Sequence, residues 1–139
     1  MIGDADLARE ATQETALRFL RLLPTFRGDS KLQTWSMGIV INVVREMRRA
    51  QGRVIDPLAV GQRTTGTPDQ NAALSEEKIV LHQILNELPD RQREAVVLRF
   101  FQELSVEETA AAMKCATGTV KATVHQALRV LREKLKQLA

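Results

Sequence analysis

Apolar residues recur at intervals of three and four along most of this chain, which is the spacing of one face of an α-helix. Strict alternation of apolar and polar residues, the sign of a half-buried strand, is missing from the long segments. The pattern predicts an all-α protein with six amphipathic helices, at about Asp6 to Leu23, Leu32 to Ala50, Ser75 to Leu88, Leu88 to Leu104, Ser105 to Lys114 and Thr117 to Leu135.

The helical spacing fails between Gln51 and Leu74, where Gly, Thr and Pro interrupt the sequence "GRVIDPLAVGQRTTGTPDQNAAL". Such a composition is typical of a flexible linker. It divides the chain into two small helical domains, residues 1–50 and 75–139, joined by a linker at 51–74. The C-terminal domain is predicted to contain four helices.

The last two predicted helices form a helix-turn-helix. Ser105 and Glu108 have the spacing of a capping box, which should open a short helix. The tight corner "CATG" follows, where Thr117 could cap the next helix. That final helix buries an aliphatic stripe that includes Val120, Val124, Ala127 and Leu128. The opposite face presents donors that suit bases and phosphates in a major groove, namely Lys121, His125, Gln126 and Arg129, with Thr117 and Thr119 near the helix start.

Composition adds an aliphatic core and two basic zones. Hydrophobic residues make up 44% of the chain and aromatic residues 4%. The formal charge is +3, but four Arg stand against one Glu between Arg45 and Arg53, and six Lys or Arg stand against Glu133 from Lys114 onward. This distribution suits a protein that contacts a polyanion at two places. Ordinary solvated helix faces would explain the same charges.

Other classes of function find little support. His82 and His125 are the only histidines, they fall on different predicted helices, and Cys115 is the single cysteine. Metal-ligand spacing, a catalytic triad and a phosphate-binding Gly-rich loop are missing. We therefore expect a protein that is not an enzyme and takes no cofactor or small-molecule substrate. Neither a signal peptide nor a run of eighteen apolar residues occurs, so we expect a cytoplasmic protein without membrane insertion.

Two long segments resemble one family. The sequence "LPDRQREAVVLRFFQELSVEETAAAMKCATGTVKATVHQALRVLREKL" is similar to the C-terminal promoter-binding domain of bacterial RNA polymerase sigma factors of the extracytoplasmic-function (ECF) group. Independently, "GDADLAREATQETALRFLRLLPTFRGDSKLQTWSMGIVINVVREMRR" is similar to the second conserved region of the same factors. Together the segments cover nearly the whole chain outside the linker.

The resemblance implies a sigma factor that brings RNA polymerase core to promoters and initiates transcription. Its partners would be promoter DNA, the beta-prime clamp helices and beta flap of the core, and possibly an anti-sigma factor. It implies contacts to the minus-35 element by Arg99, Thr117, Thr119, Lys121, His125, Gln126 and Arg129. It implies contacts to the minus-10 element by Phe26, Arg27, Asp29, Ser30, Lys31, Asn42, Arg45, Arg48 and Arg49, and core binding by Gln13, Glu14 and Arg18. Trp35, at helical spacing from Ile39, is expected in the core.

The chain departs from the family at three places. "GTVKATVHQAL" lacks several positive or hydroxyl positions, and Gly38 stands where the family has an Arg after the Trp. The chain also begins almost at "GDAD", without the family's usual first helix, which should leave Leu17, Leu20, Ile39 and Val43 incompletely covered. These departures keep an alternative open: a stand-alone DNA-binding regulator, or a sigma-like decoy that binds a protein partner without initiating transcription.

Overall fold

The computed structural model describes residues 2–51 and 75–138, and every regular element in those two ranges is helical. The predicted all-α class is confirmed. The helices are α1 (Ile2–Leu22), α2 (Leu32–Gln51), α3 (Glu76–Glu87), α4 (Asp90–Val96), α5 (Val106–Met113) and α6 (Thr117–Leu138). A single 3₁₀ turn, Leu23–Thr25, follows α1 and contains Pro24. The predicted linker, 51–74, lies outside the described residues except for Gln51, the last residue of α2.

Helices α1 and α2 pack through a small aliphatic core. It contains Leu7, Ala8, Ala11, Ile39, Val40, Val43 and Val44, with Phe19, Trp35, Met37 and Met47 packed against it. The expectation that Ile39 and Val43 would be incompletely covered is wrong, because α1 buries both. Leu17 and Leu20, in contrast, are 63% and 67% exposed, as expected.

Helices α3 and α5 begin at serine side-chain caps, and the cap at Ser105 is the one that the sequence predicted. The hydroxyl of Ser75 accepts from the backbone N–H of Lys78 at the start of α3. Ser105 and Glu108 form both halves of the capping box of α5. Helix α5 ends at Lys114 in the left-handed conformation, with φ of 57°. Thr117 does not cap α6, because it is already the first residue of that helix.

A π-helical turn interrupts the predicted fourth segment. Helix α4 ends at Val96 and a wider turn, Val97–Phe101, follows it; the N–H of Gln102 donates to the carbonyl of Val97, five residues back. Each residue in such a turn advances by a smaller angle than in an α-helix. Helical spacing predicts a buried stripe along this segment that consists of Ala95, Val97, Leu98, Phe101 and Leu104. Val97 and Leu98 are buried, but Phe101 is 42% exposed. The expected position of Phe101 in the buried stripe was therefore wrong.

The two halves of the chain share a core. Ile41 of α2 is 2% exposed and packs with Ala95, Leu98, Leu104, Ala112 and Met113 of the C-terminal helices. Met37 touches this cluster as well as the core between α1 and α2. A third cluster, Leu85, Leu88, Val96, Val97 and Ala127, holds α3 and α4 to α6. Helix α2 thus lies between α1 on one side and the helix-turn-helix on the other.

Candidate nucleic-acid interface

Helix α6 offers the polar face that its sequence predicted. Val120 and Ala127 are fully buried, and Val124 is half-buried against the core shared with α2. Leu128 was expected inside but is 38% exposed. The six polar residues predicted on this helix are all exposed: Thr117, Thr119, Lys121, His125, Gln126 and Arg129. A helix anchored on one side and covered with donors on the other can enter a major groove.

Arg99 occupies a different environment from these six. It belongs to the π-helical turn, is half-buried, and donates from Nη1 to the carbonyl oxygen of Leu104 at 2.6 Å. Its guanidinium carbon lies 5.8 Å from the ring centroid of Phe100. Arg99 therefore ties the π-helical turn to the residue just before the capping box of α5.

The loop between α1 and α2 surrounds a small cleft of about 180 Å³. Its lining is Thr25, Phe26, Arg27, Asp29, Ser30 and Trp35. The ring centroids of Phe26 and Trp35 are 5.1 Å apart, and those of Phe19 and Trp35 are 5.7 Å apart. Trp35 was expected in the core, and it does pack there, but its half-buried ring also forms a wall of this cleft. Gly28, with φ of +79°, gives the loop a turn that other residues rarely adopt.

A larger cleft of about 500 Å³ follows the C-terminal half of α2. Asn42, Arg45, Arg48 and Arg49 line it from α2, and all four belong to the predicted minus-10 set. The opposite wall carries Asp90 and Glu94 of α4, whose roles the sequence did not suggest. Arg45 binds both carboxylate oxygens of Glu94 at 2.9 to 3.1 Å. Arg48 Nη1 lies 3.2 Å from Oδ1 of Asp90.

A signal for Glu94 was present in the sequence. Residue 94 lies four positions before Leu98, and residues four apart share a helix face. A carboxylate on the same face as a fully buried leucine requires a cationic or hydrogen-bonding partner. The sequence could indicate that such a partner exists, but only the fold identifies it as Arg45 of another helix.

The residues assigned to polymerase binding lie on α1. Gln13 is exposed and Glu14 is half-buried. Arg18 donates to Glu46 of α2 at 2.6 Å and to Glu14 at 2.9 Å. These hydrogen bonds, first to Glu46 and then to Glu14, raise the pKa of Arg18, and the bond from Arg18 lowers the pKa of Glu46. Arg18 therefore joins α1 to α2 at the edge of the exposed Leu17 and Leu20.

Within residues 2–51 and 75–138, the structure brings no three His, Cys, Asp or Glu side chains together as a metal site. None of the helices described has the length and apolar character needed to cross a membrane.

Comparison with known proteins identifies the family. The family model of sigma-70 region 2 matches residues 1–54, and the family model of sigma-70 region 4 matches residues 78–131. The RNA polymerase sigma-H factor of Pseudomonas aeruginosa is 30% identical over an alignment that covers 99% of this chain and 77% of that protein. The chain belongs to the ECF sigma factor family. The ECF RNA polymerase sigma-E factor of Escherichia coli K12 is 31% identical, with 93% of this chain and 74% of that protein aligned.

Solved structures agree with this assignment. The sigma factor RpoE of Bartonella quintana, crystallised with the anti-sigma factor NepR, superposes with a TM-score of 0.72 at 32% identity, over 94% of this chain and 82% of that one. CnrH, solved with the cytosolic domain of CnrY, has a TM-score of 0.67 at 19% identity, over 99% of this chain and 83% of that one, which supports the fold alone. As an ECF sigma factor, the chain directs RNA polymerase to promoters.

Proposed function

We propose that this sigma factor recognises its promoters with two separate surfaces, one for duplex DNA and one for an opened strand. The first is the exposed face of α6. The second is the aromatic cleft at 25–35 together with the basic residues of α2. We assign the first surface to a C-terminal domain, 75–139, and the second to an N-terminal domain, 1–50.

The exposed face of α6 is the main support for the proposed recognition of duplex DNA. Its six polar side chains are exposed on a helix whose other face is fixed by the buried Val120 and Ala127. A Lys or Arg can bind guanine or a phosphate, and Gln126 has the amide that pairs with adenine. Thr117 and Thr119, in the first turn, can bind a phosphate with hydroxyl and backbone N–H groups. This face is the proposed contact to the minus-35 duplex, and Arg99 is a further proposed contact.

The minus-10 surface combines aromatic and cationic groups. An unstacked base can lie against an aromatic ring while cations follow the phosphate backbone. The Phe26 and Trp35 rings supply the aromatic wall, and Arg27, Asp29 and Ser30 are exposed around the same cleft. Lys31, Asn42, Arg45, Arg48 and Arg49 continue the proposed surface along α2. This arrangement suits capture of a single base from the non-template strand.

Polymerase core is the proposed partner of α1. Leu17 and Leu20 expose apolar surface next to Gln13, Glu14 and Arg18, and exposed apolar patches with a polar rim are typical of protein interfaces. We assign this face to the beta-prime clamp helices, and a part of the C-terminal domain to the beta flap. We also infer that the chain has no catalytic activity of its own and acts in the cytoplasm, where polymerase and promoters are found.

An anti-sigma factor is a further proposed partner. Bartonella quintana RpoE, 32% identical to this chain, was crystallised with the anti-sigma factor NepR. The same exposed leucines of α1 would give such a protein an apolar surface to cover. Purification of the tagged chain from its host, followed by mass spectrometry of retained small proteins, tests this partner.

Transcription from genomic DNA tests the proposed function. Core polymerase is incubated with fragments of the host genome, with and without the chain, and the 5′ ends of the transcripts are mapped. We expect new ends at discrete sites that share two upstream elements. Stable binding to core without new ends would instead support the decoy, and DNA binding without association with core would support the stand-alone regulator.

A further inference from the structure

We propose that the cleft between α2 and α4 binds a small anion with two linked phosphate groups, and that Arg49 and Arg91 each hold one of them. This is the cleft of about 500 Å³ that follows the C-terminal half of α2. The proposed minus-10 set includes Arg49 but no residue of α4. Recognition of DNA therefore does not account for the second wall of the cleft, to which Arg91 belongs.

The cleft has the size of a small-molecule site and a polar lining. Its volume of about 500 Å³ lies within the range of about 300 to 1,000 Å³ that is usual for ligand sites in proteins. Guanidinium groups bind phosphates with two parallel hydrogen bonds. Four of the eight residues that line the cleft are arginines, namely Arg45, Arg48 and Arg49 of α2 and Arg91 of α4. This lining suits an anion with several phosphate oxygens.

Carboxylates line the cleft as well, but those of α4 are already bound by arginines. Both oxygens of Glu94 accept from Arg45, at 2.9 to 3.1 Å. Asp90 accepts from Arg93 at 2.6 Å and lies 3.2 Å from Nη1 of Arg48. Because each of these carboxylates is balanced by at least one guanidinium, neither gives the cleft a net negative charge.

The third carboxylate, Glu46, is bound from outside the cleft. Arg18 of α1 donates to it at 2.6 Å. This hydrogen bond, together with a smaller effect of the charge of Arg49, lowers the pKa of Glu46. Glu46 is thus paired with Arg18, and Arg49 lies near it without an ion pair of its own.

Arg49 and Arg91 bind no carboxylate within the described part of the chain. Both side chains are exposed, and neither takes part in the ion pairs of residues 2–51 and 75–138. Arg91 donates from Nη1 to the carbonyl of Met113 at 3.4 Å, which uses one of its N–H groups. Two cations that line one cleft repel each other, and an anion that bridges them removes that repulsion. The arrangement favours a short ligand with negative charge at both ends.

Two linked phosphates fit this pair of arginines better than a single phosphate does. After one phosphate has bound the first arginine, the other phosphate of the same molecule is already close to the second arginine. A diphosphate should therefore bind more tightly than orthophosphate. Because this advantage depends on both contacts, loss of either arginine should remove it.

Isothermal titration calorimetry with sodium pyrophosphate tests the site. The full chain is titrated with pyrophosphate and, separately, with orthophosphate, in a buffer that contains EDTA and is held at constant ionic strength. We expect one pyrophosphate per chain, bound at least tenfold more tightly than orthophosphate.

Two variants and a matched control locate the ligand. Arg49→Gln and Arg91→Gln should each lower the affinity for pyrophosphate to about that for orthophosphate. Arg132→Gln removes the same charge from an exposed position of α6 and should leave the affinity almost unchanged. All three side chains are exposed, so the melting temperatures of the variants should stay close to that of the wild type.

Pyrophosphate that binds no more tightly than orthophosphate would overturn the proposal. An equal loss of affinity in all three variants would also overturn it, because that result would show only a general attraction of phosphate to a basic protein. Neither result depends on promoter recognition, so the proposed function would stand or fall by its own test.

Titration with ADP and GDP distinguishes a free diphosphate from a nucleotide. None of the residues that line the cleft in the described ranges is aromatic, so a base would find no ring to stack on. We expect both nucleotides to bind no more tightly than pyrophosphate. Tighter binding of one of them, lost in Arg49→Gln and in Arg91→Gln, would support the two-arginine site and assign its ligand as that nucleotide.

Discussion

The hydroxyl of Thr34 donates a hydrogen bond to Oε2 of Glu108 at 3.0 Å, which joins the first turn of α2 to the capping box of α5. The other oxygen of the same carboxylate accepts from the backbone N–H of Ser105 at 3.0 Å. One side chain thus completes a helix cap and also binds a residue that is only 2% exposed on the neighbouring helix.

This shared carboxylate predicts a pH dependence of stability. The backbone N–H of Ser105, then its side chain and the Thr34 hydroxyl, lower the pKa of Glu108 to about 2. A lowered pKa stabilises the folded protein above the pKa of the unfolded chain, about 4.3, and this contribution disappears as pH falls toward 2. Glu108→Gln should therefore reduce the melting temperature at pH 7, and its difference from wild type should shrink between about pH 4.5 and 2.

Glu107→Gln is the control, because Glu107 is exposed in the same first turn of α5 and forms no part of the capping box. A melting-temperature difference that is constant from pH 7 to pH 2 would contradict the role assigned to Glu108.

The proposed duplex surface predicts the effect of a charge reversal on α6. Lys121→Glu should weaken binding to a duplex with the upstream element at least tenfold and reduce the salt slope of the affinity by about 1, the value for one lost phosphate contact. Fluorescence anisotropy at several salt concentrations measures both. Lys78→Glu makes the same change on the exposed face of α3 and should have little effect. Equal affinities for the two variants would show that Lys121 does not face DNA.

If the aromatic cleft captures an unstacked base, a substitution in it should reduce transcription without changing binding to the upstream duplex. Phe26→Ala removes one wall of the cleft and should weaken capture of an unstacked base by about 1 to 3 kcal/mol, or roughly 5- to 150-fold. Run-off transcription should fall by a similar factor, while upstream duplex binding stays unchanged. Leu32→Ala, which removes exposed apolar surface near the cleft, is the comparison. The assignment fails if Phe26→Ala retains full transcription.

Substitution of Arg93 should strongly lower the stability of the fold, although Arg93 is not part of the proposed DNA-binding surfaces. Its buried guanidinium donates to the carbonyls of Asn86 and Leu88 at 3.1 Å and to Asp90 at 2.6 Å, which fixes the corner between α3 and α4. Arg93→Met would leave those carbonyls without this donor, at a cost of about 2 to 4 kcal/mol. Urea denaturation should show this loss, whereas Arg132→Met at an exposed site of α6 should cost less than about 0.5 kcal/mol.

The parts of the fold that depend on local chemistry could be predicted. Helical spacing located all six helices. The capping box could be predicted from the four residues Ser105 to Glu108, because both of its hydrogen bonds are local. The outward face of α6 followed from the positions of Val120 and Ala127. In each case the residues that determine the structure are within about one or two turns of each other.

The contacts between distant segments could not be predicted. Ile41 does not share the helical spacing of Trp35 and Ile39, and nothing in the sequence indicates that it packs against Met113. Arg45 and Arg48 follow the basic pattern of a DNA surface, and that pattern does not identify their partners, Glu94 and Asp90, which are more than forty residues away. Phe101 was wrongly predicted to be buried, because the prediction assumes 3.6 residues per turn and the π-helical turn has more.

The π-helical turn at Val97–Phe101 also restricts how this sequence can change over evolution. A wider turn of this kind holds one residue more than an α-helix needs to cover the same axial distance. Loss of a single codon there would restore regular winding and rotate the chain after it by about 100°. The carbonyl of Leu104, to which Arg99 donates, would then move away from that guanidinium. Length at this position should therefore be fixed among descendants of this gene, even where the residues themselves vary.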